Sequence, residues 1–150
     1  MVQDLPPVIE EASKNLPPDL RERITFEAYD FFTPQTVHDA DVYFFRWIFH
    51  NWPDKYCIDI LKNLIPALKQ GAKIVISDAV VPPAGRMSPA MESRIRSFDL
   101  VMTAIQNASE REVGEWEQLF LQADPGFEFK GATQPPGSNL SLLVAEWKGT

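Results

Sequence analysis

His50 is the residue whose type and surroundings most favour chemistry. It follows a continuous apolar run at 41–47 (DVYFFRW), and Asp78 lies near the end of a second run at 72–81 (AKIVISDAVV); both runs suit buried strands. In an α/β sheet, ligands bind where the carboxyl ends of parallel strands meet. A histidine after a strand is more often a structural or capping residue. With Asp78 and Glu110 able to approach it, however, His50 resembles an oriented general base.

Three further polar residues stand at or near predicted strand ends on the same edge. Asp4 follows a short apolar start, Asp30 ends the alternating run RITFEAYD at 23–30, and Arg46 lies at the end of the first buried run. Taken singly, Asp4 and Asp30 are equally well explained as helix caps or turn formers. His38 lies in a polar loop, and we expect it to be solvated.

Hydrophobic periodicity predicts the elements that must position these side chains. Helices are predicted at about 7–15, 53–69, 90–106 and 112–123; strands are predicted at 23–30, 41–47, 72–81, 127–130 and 140–147, with a turn at 82–85. The alternation predicts a single α/β domain over residues 1–150, with a mostly parallel sheet and an antiparallel C-terminal strand.

Composition excludes several classes of function. The 150 residues carry a net charge of -7 and lack the basic stripe that nucleic-acid binding requires. No stretch approaches the roughly 20 apolar residues of a membrane span. Cys57 is the single cysteine, so no internal disulfide is possible. We therefore expect a cytoplasmic protein with no nucleic-acid partner, no membrane partner and no metal.

The motif around His50 carries a resemblance to a known family. The run RWIFHNWPD at 46–54 resembles a signature of the plant and fungal O-methyltransferases that act on phenols and other small-molecule hydroxyls. VQDLP at 2–6, DFF at 30–32 and NASER at 107–111 resemble further family segments in the expected order. The resemblance covers nearly the whole chain and is closest to fungal secondary-metabolism members. It implies a Rossmann-like fold and S-adenosylmethionine (SAM) as methyl donor.

The resemblance also implies roles for the residues at the acceptor. His50 matches the catalytic base, and Asp78 and Glu110 match the two acidic residues that orient it, the first of which is usually Glu in plant enzymes. Met102 matches a methionine that flanks the substrate, although core filling explains a lone methionine better.

A second group of residues matches positions that hold the cofactor. Asp4 matches the acidic residue at the ribose hydroxyls, and Asp30 with Phe31 matches the pair at the adenine. Arg46 falls where plant members usually have a lysine near the cofactor.

One family feature has no counterpart in these 150 residues. All seven glycines lie at or after Gly71, whereas the family places its central strand and glycine-rich loop just before the segment matching 2–4. We therefore expect an N-terminally truncated catalytic domain that lacks this strand, with a split sheet and weak SAM binding. Either the two halves of the sheet close together, or a homodimer or complementing chain fills the gap, or an unpaired edge stays exposed.

Three functions remain open. The first is O-methyl transfer to a small-molecule hydroxyl. The second is acid–base or pericyclic chemistry by a repurposed relative, without methyl transfer. The third is a non-catalytic dimerisation or binding module.

Overall fold

The computed structural model describes residues 1–82, 85 and 88–149, apart from the side chains of Met91, Arg94 and Phe98. The predicted turn at 82–85 therefore lies partly outside the described residues. In the described part, the strands are β1 Val2–Asp4, β2 Phe26–Ala28, β3 Val42–Arg46, β4 Lys73–Asp78, β5 Phe127–Thr133 and β6 Ser141–Trp147. The helices are α1 Pro6–Lys14, α2 Asp54–Leu64, α3 Pro89–Gln106 and α4 Val113–Ala123. Short 3₁₀ turns occupy Pro18–Leu20, Phe49–Asn51 and Ile65–Ala67.

The main sheet has four strands in the order β3-β4-β6-β5. β3 pairs with β4 in parallel, and β6 is antiparallel to both of its neighbours, so that β3, β4 and β5 share one direction. The predicted α/β class is confirmed, with parallel strand pairs and an antiparallel C-terminal strand. Because β3 and β4 are parallel, the residues that follow both strands meet at one edge of the sheet.

β1 and β2 form a separate two-stranded parallel sheet, in which Val2 pairs with Phe26 and Asp4 with Ala28. Within the described residues, no ladder joins this pair to β3. The sheet is therefore split, as the resemblance implied. A pocket of about 710 Å³ opens between the two parts and is lined by residues of β1 and β3 and by the segment after β2.

The core lies between the four-stranded sheet and the helices α2 and α4. Most of its fully buried members come from the inward stripes of both helices and the alternating positions of β4 and β6: Ile60, Leu61, Leu64, Ile74, Ile76, Trp116, Leu119, Phe120, Leu143 and Ala145. Spacing of three and four on the helices and of two on the strands accounts for this pattern. None of the described helices has the combination of length and hydropathy needed to cross a membrane.

One prediction about β3 is wrong. Its apolar run favours a strand buried on both faces, but the side chains of Val42 and Phe44 are 50% and 57% exposed. The reason is that both residues lie on the face of β3 that lines the pocket between the two sheets.

Several element boundaries also differ from the predicted ones. The helix predicted to reach residue 69 ends at Leu64 and continues only as the 3₁₀ turn that contains Pro66, because proline has no N–H for the next helical hydrogen bond. β2 is three residues long because it pairs only with the equally short β1. β5 continues to Thr133 because a register shift between Phe129 and Gly131 lets it keep pairing with β6.

Candidate active site

His50 lies in the 3₁₀ turn Phe49–Asn51, directly after β3, and its side chain is almost fully buried. The chain enters this turn through Trp47, which has a φ of 57°, a left-handed conformation that is unusual for a bulky residue. The peptide N–H of Trp47 donates to the carbonyl of Ser77 at 3.1 Å, which ties the turn to the end of β4. The Trp47 and His50 rings pack edge to face with centroids 4.5 Å apart. The imidazole is thus held where β3 and β4 end.

Glu110 approaches the same imidazole from the segment between α3 and α4. The distance from His50 Nδ1 to Glu110 Oε1 is 3.4 Å, and both side chains are buried. In the described part of the chain, no hydrogen-bond donor reaches either carboxylate oxygen of Glu110. A buried carboxylate whose oxygens lack hydrogen-bond donors is costly, and such groups in native proteins call for a functional explanation.

Asp78 ends β4 and is fully buried beside the turn. Its Oδ2 accepts the peptide N–H of His50 at 3.1 Å, and its Oδ1 accepts the peptide N–H of Ala79 at 3.0 Å. Asp78 therefore fixes the backbone of the histidine. Burial raises the pKa of the Asp78 carboxyl, against the opposing effects of the nearby His50 and of the two peptide N–H groups.

This raised pKa leads to a prediction for the Asp78→Asn variant. Because folding raises the pKa, the contribution of Asp78 to stability is fully present below the pKa of the unfolded chain and is lost as the pH rises through the folded pKa. The amide that replaces the carboxyl does not ionise. We therefore expect the free energy of unfolding of the variant, relative to that of the unsubstituted chain, to increase as the pH is raised through this acidic window. Urea unfolding at a series of pH values measures the difference, and a constant or decreasing difference would contradict the assignment.

The ligand atoms of His50, Asp78 and Glu110 all lie within 4.8 Å of one another, which is close enough to consider a metal ion. Zinc would need three such atoms at about 2.0–2.2 Å. Both oxygens of Asp78 already accept peptide N–H groups, which makes this carboxylate less available as a ligand. The geometry therefore favours the ion pair of His50 with Glu110 over a three-ligand metal site.

The four residues assigned to the cofactor all line the pocket between the two sheets: Asp4, Asp30, Phe31 and Arg46. Both aspartates also accept a nearby peptide N–H, Asp4 from Leu5 at 2.7 Å and Asp30 from Phe32 at 2.9 Å. Both aspartates thus form local turns, as the sequence allowed, and also line the pocket. One side of the pocket is aromatic, because Phe32 packs against Phe31 at 4.9 Å and against Trp52 at 4.8 Å between ring centroids.

Two other candidates lie away from this pocket. Met102 is half-buried on α3 and is not among the residues that line the pocket. His38 is exposed in the loop before β3, as expected.

Three residues to which the sequence assigned no role help to build the site. Arg111 and Asp54 form an ion pair beside the His50 turn, with Arg111 Nη2 2.7 Å from Asp54 Oδ1. Asp99 of α3 accepts the peptide N–H of Glu110 at 2.8 Å. Arg111 and Asp54 lie inside the NASER and RWIFHNWPD runs, but only the fold shows that these two runs are in contact.

Comparison with known proteins identifies the class that this fold and site define. Residues 1–128 match the family model of the O-methyltransferase domain. The chain belongs to this O-methyltransferase family.

Fungal relatives match the chain over nearly all of its length. It is 45% identical over 150 residues to the grayanic acid biosynthesis cluster O-methyltransferase of Cladonia grayi, covering 99% of this chain and 33% of that protein. It is 45% identical over 149 residues to a chlorophenol O-methyltransferase of Trichoderma longibrachiatum, covering 98% of this chain and 32% of that protein. The chain thus spans about a third of the length of these relatives.

Solved structures share the fold. LepI in complex with SAM superposes with a TM-score of 0.83 at 30% identity, over 97% of this chain and 35% of that one. OxaC in complex with sinefungin and meleagrin gives a TM-score of 0.80 at 34% identity, over 98% of this chain and 35% of that one.

Proposed function

We propose that this chain carries the acceptor-activating part of a SAM-dependent O-methyltransferase for small-molecule hydroxyls, with His50 as the general base. The observation that carries the proposal is the buried pair of His50 and Glu110, with 3.4 Å between Nδ1 and Oε1, inside an O-methyltransferase domain. One of the named fungal relatives is a chlorophenol O-methyltransferase, which supports a phenolic acceptor.

The proton-removing step follows from the arrangement of the pair. With the proton of the neutral imidazole on Nδ1, facing Glu110, Nε2 is the basic nitrogen that takes the proton of the acceptor hydroxyl, and the carboxylate then stabilises the imidazolium. A phenol with a pKa of about 10 is mostly un-ionised at neutral pH and needs this help. SAM, when held in the pocket between the two sheets, would supply the methyl group for the acceptor oxygen. Asp78 keeps the backbone of His50 in place during this transfer.

The pocket between the sheets fits the chemistry of the methyl donor. The carboxylates of Asp4 and Asp30 are acceptors for hydroxyl and amino groups, and Phe31 offers an aromatic surface for a base. We assign these three residues and Arg46 to the cofactor, and Met102 to the border of the acceptor site. SAM carries a sulfonium cation and no phosphate, so it is also compatible with an acidic chain of net charge -7.

A second candidate function is rearrangement of a substrate without methyl transfer. One observation favours it: a solved structure described as a pericyclic reaction enzyme superposes with a TM-score of 0.83 at 30% identity. In that function, His50 would donate a proton to the substrate or accept one from it, and no methyl group would be transferred.

Product analysis separates the two functions. We expect incubation with labelled SAM and a panel of phenols to give a methyl ether and S-adenosylhomocysteine in equal amounts. Because all glycines lie at or after Gly71, the 150 residues by themselves are expected to bind SAM more weakly than micromolar, so calorimetry must first define a saturating concentration. Conversion of an acceptor without release of S-adenosylhomocysteine would favour the second function, and micromolar affinity would contradict weak binding.

A further inference from the structure

Arg111 is buried to 2% exposure, which is rare for an arginine without a defined partner. Its Nε donates to Asp54 Oδ1 at 2.8 Å, its Nη1 to the carbonyl of Phe49 at 3.1 Å and its Nη2 to the carbonyl of Trp52 at 2.8 Å. The guanidinium also lies over the ring of Trp116, 5.3 Å from its centroid. We refer to Arg111, Asp54 and the carbonyls of Phe49 and Trp52 as the Arg111 clamp.

The Arg111 clamp joins the two chain segments that carry the base and its carboxylate. Phe49 and Trp52 flank His50 on either side, whereas Arg111 directly follows Glu110. The backbone of Arg111 is itself fixed, because its carbonyl accepts the peptide N–H of Val81 at 2.9 Å. The guanidinium therefore links the His50 turn directly to the segment that carries Glu110.

We propose that Arg111, with Asp54 as its counter-charge, is a positioning residue that holds His50 at its working distance from Glu110. The naming of His50 as a base rests on the proposed function, but the mechanical coupling of the two segments does not. Arg111 acts through the carbonyls on either side of the histidine and does not touch the acceptor.

The chemistry of the clamp explains why the residue is an arginine. Its three acceptors bond to three different guanidinium nitrogens. The guanidinium fork offers five N–H donors in one plane, whereas a lysine has a single ammonium on a flexible stem. Arginine also keeps its charge when buried and stacks on an aromatic face. Asp54 is mostly exposed, so removing its charge leaves the core intact.

Hydrogen exchange and histidine NMR test the coupling in Arg111→Lys and Asp54→Asn. The amide protons of Asn51 and Trp52 are bonded inside the turn, to the carbonyls of Ile48 and Phe49. Loss of charge-assisted hydrogen bonds to the turn should lower their protection roughly 10- to 100-fold in Arg111→Lys. We expect a smaller loss in Asp54→Asn.

The two histidines give an internal comparison. The imidazole resonances of His50 should move in both variants, while those of the exposed His38 stay in place. Matched controls are Arg21→Lys, which changes an exposed arginine, and Asp59→Asn, which changes another acidic residue of α2. Neither control should alter the His50 resonances or the protection of the turn.

Three results would overturn the proposal. The first is unchanged protection and unchanged His50 resonances in folded Arg111→Lys. The second is an equal loss of protection at the amide of Ile76 in the central ladder, which would identify a general loss of stability. If Arg111→Lys does not fold, the third is an Asp54→Asn variant that is indistinguishable from its Asp59→Asn control.

Kinetics add a readout that a merely structural role would not move. With an un-ionised phenol as acceptor, kcat in Arg111→Lys should fall about tenfold while the KM for SAM stays the same. A raised KM with unchanged kcat would overturn the positioning role. If the unsubstituted protein transfers no methyl group, the proposed function fails, and the exchange and NMR results still decide whether the clamp couples the two segments.

Discussion

His50→Ala is expected to reduce methyl transfer to an un-ionised phenol by roughly 10²- to 10⁴-fold, which is the usual contribution of a positioned general base. The rate should be measured at saturating SAM, in this chain or in a longer polypeptide that contains it. The fold should survive, because Asp78 binds the peptide N–H of residue 50, and alanine retains that group. The KM for SAM should change little, because His50 is not among the residues lining the pocket assigned to the cofactor.

The matched control is His38→Ala, the same change at the only other histidine in the sequence. His38 is exposed in the loop before β3, so the control should retain the full rate. A His50→Ala variant that is folded and as active as this control would remove His50 from the mechanism.

Phe49→Ala is expected to give a large loss of stability, about 3–5 kcal/mol from the free energy of unfolding. Phe49 is fully buried, with its ring centroid 5.4 Å from that of Phe45 and 5.9 Å from that of Trp116. Truncation leaves a cavity beneath the His50 turn. Since small domains have about 5–15 kcal/mol in total, the midpoint of urea unfolding should fall sharply.

Phe44→Ala makes the same truncation on the neighbouring strand, at a side chain that is 57% exposed. Its effect should stay within about 0.5 kcal/mol, as is usual for surface substitutions. Equal losses in the two variants would contradict the placement of Phe49 in the core and of Phe44 at the surface of the pocket.

The sequence allowed the main elements, and the meeting of His50 with Asp78, to be predicted, because both depend on local patterns. Periodicity of three and four identified α2 and α4, and apolar runs identified β3 and β4. The parallel pairing of these strands then placed His50 and Asp78 at one edge. Glu110 is far from both residues in the chain, and the family resemblance supported its place beside His50.

Other features depend on contacts between distant parts of the chain, which no local pattern specifies. The exposure of Val42 and Phe44 follows from their place in the wall of the pocket between the two sheets, and the apolar run alone does not show that one face of β3 lines a pocket. The Arg111 clamp joins residues 57 positions apart, and the sequence shows Asp54 and Arg111 only as separate charges. The peptide hydrogen bond of Asp78 likewise becomes visible only when β4 lies beside the His50 turn.

The most direct test of a base at His50 compares two acceptors in the unsubstituted protein and in His50→Ala. One acceptor is a phenol that is un-ionised at the assay pH, and the other is a more acidic phenol that is already ionised and has no proton to remove. We predict that His50→Ala loses most of its rate with the first acceptor and little with the second. An equal loss with both acceptors would contradict proton removal by His50.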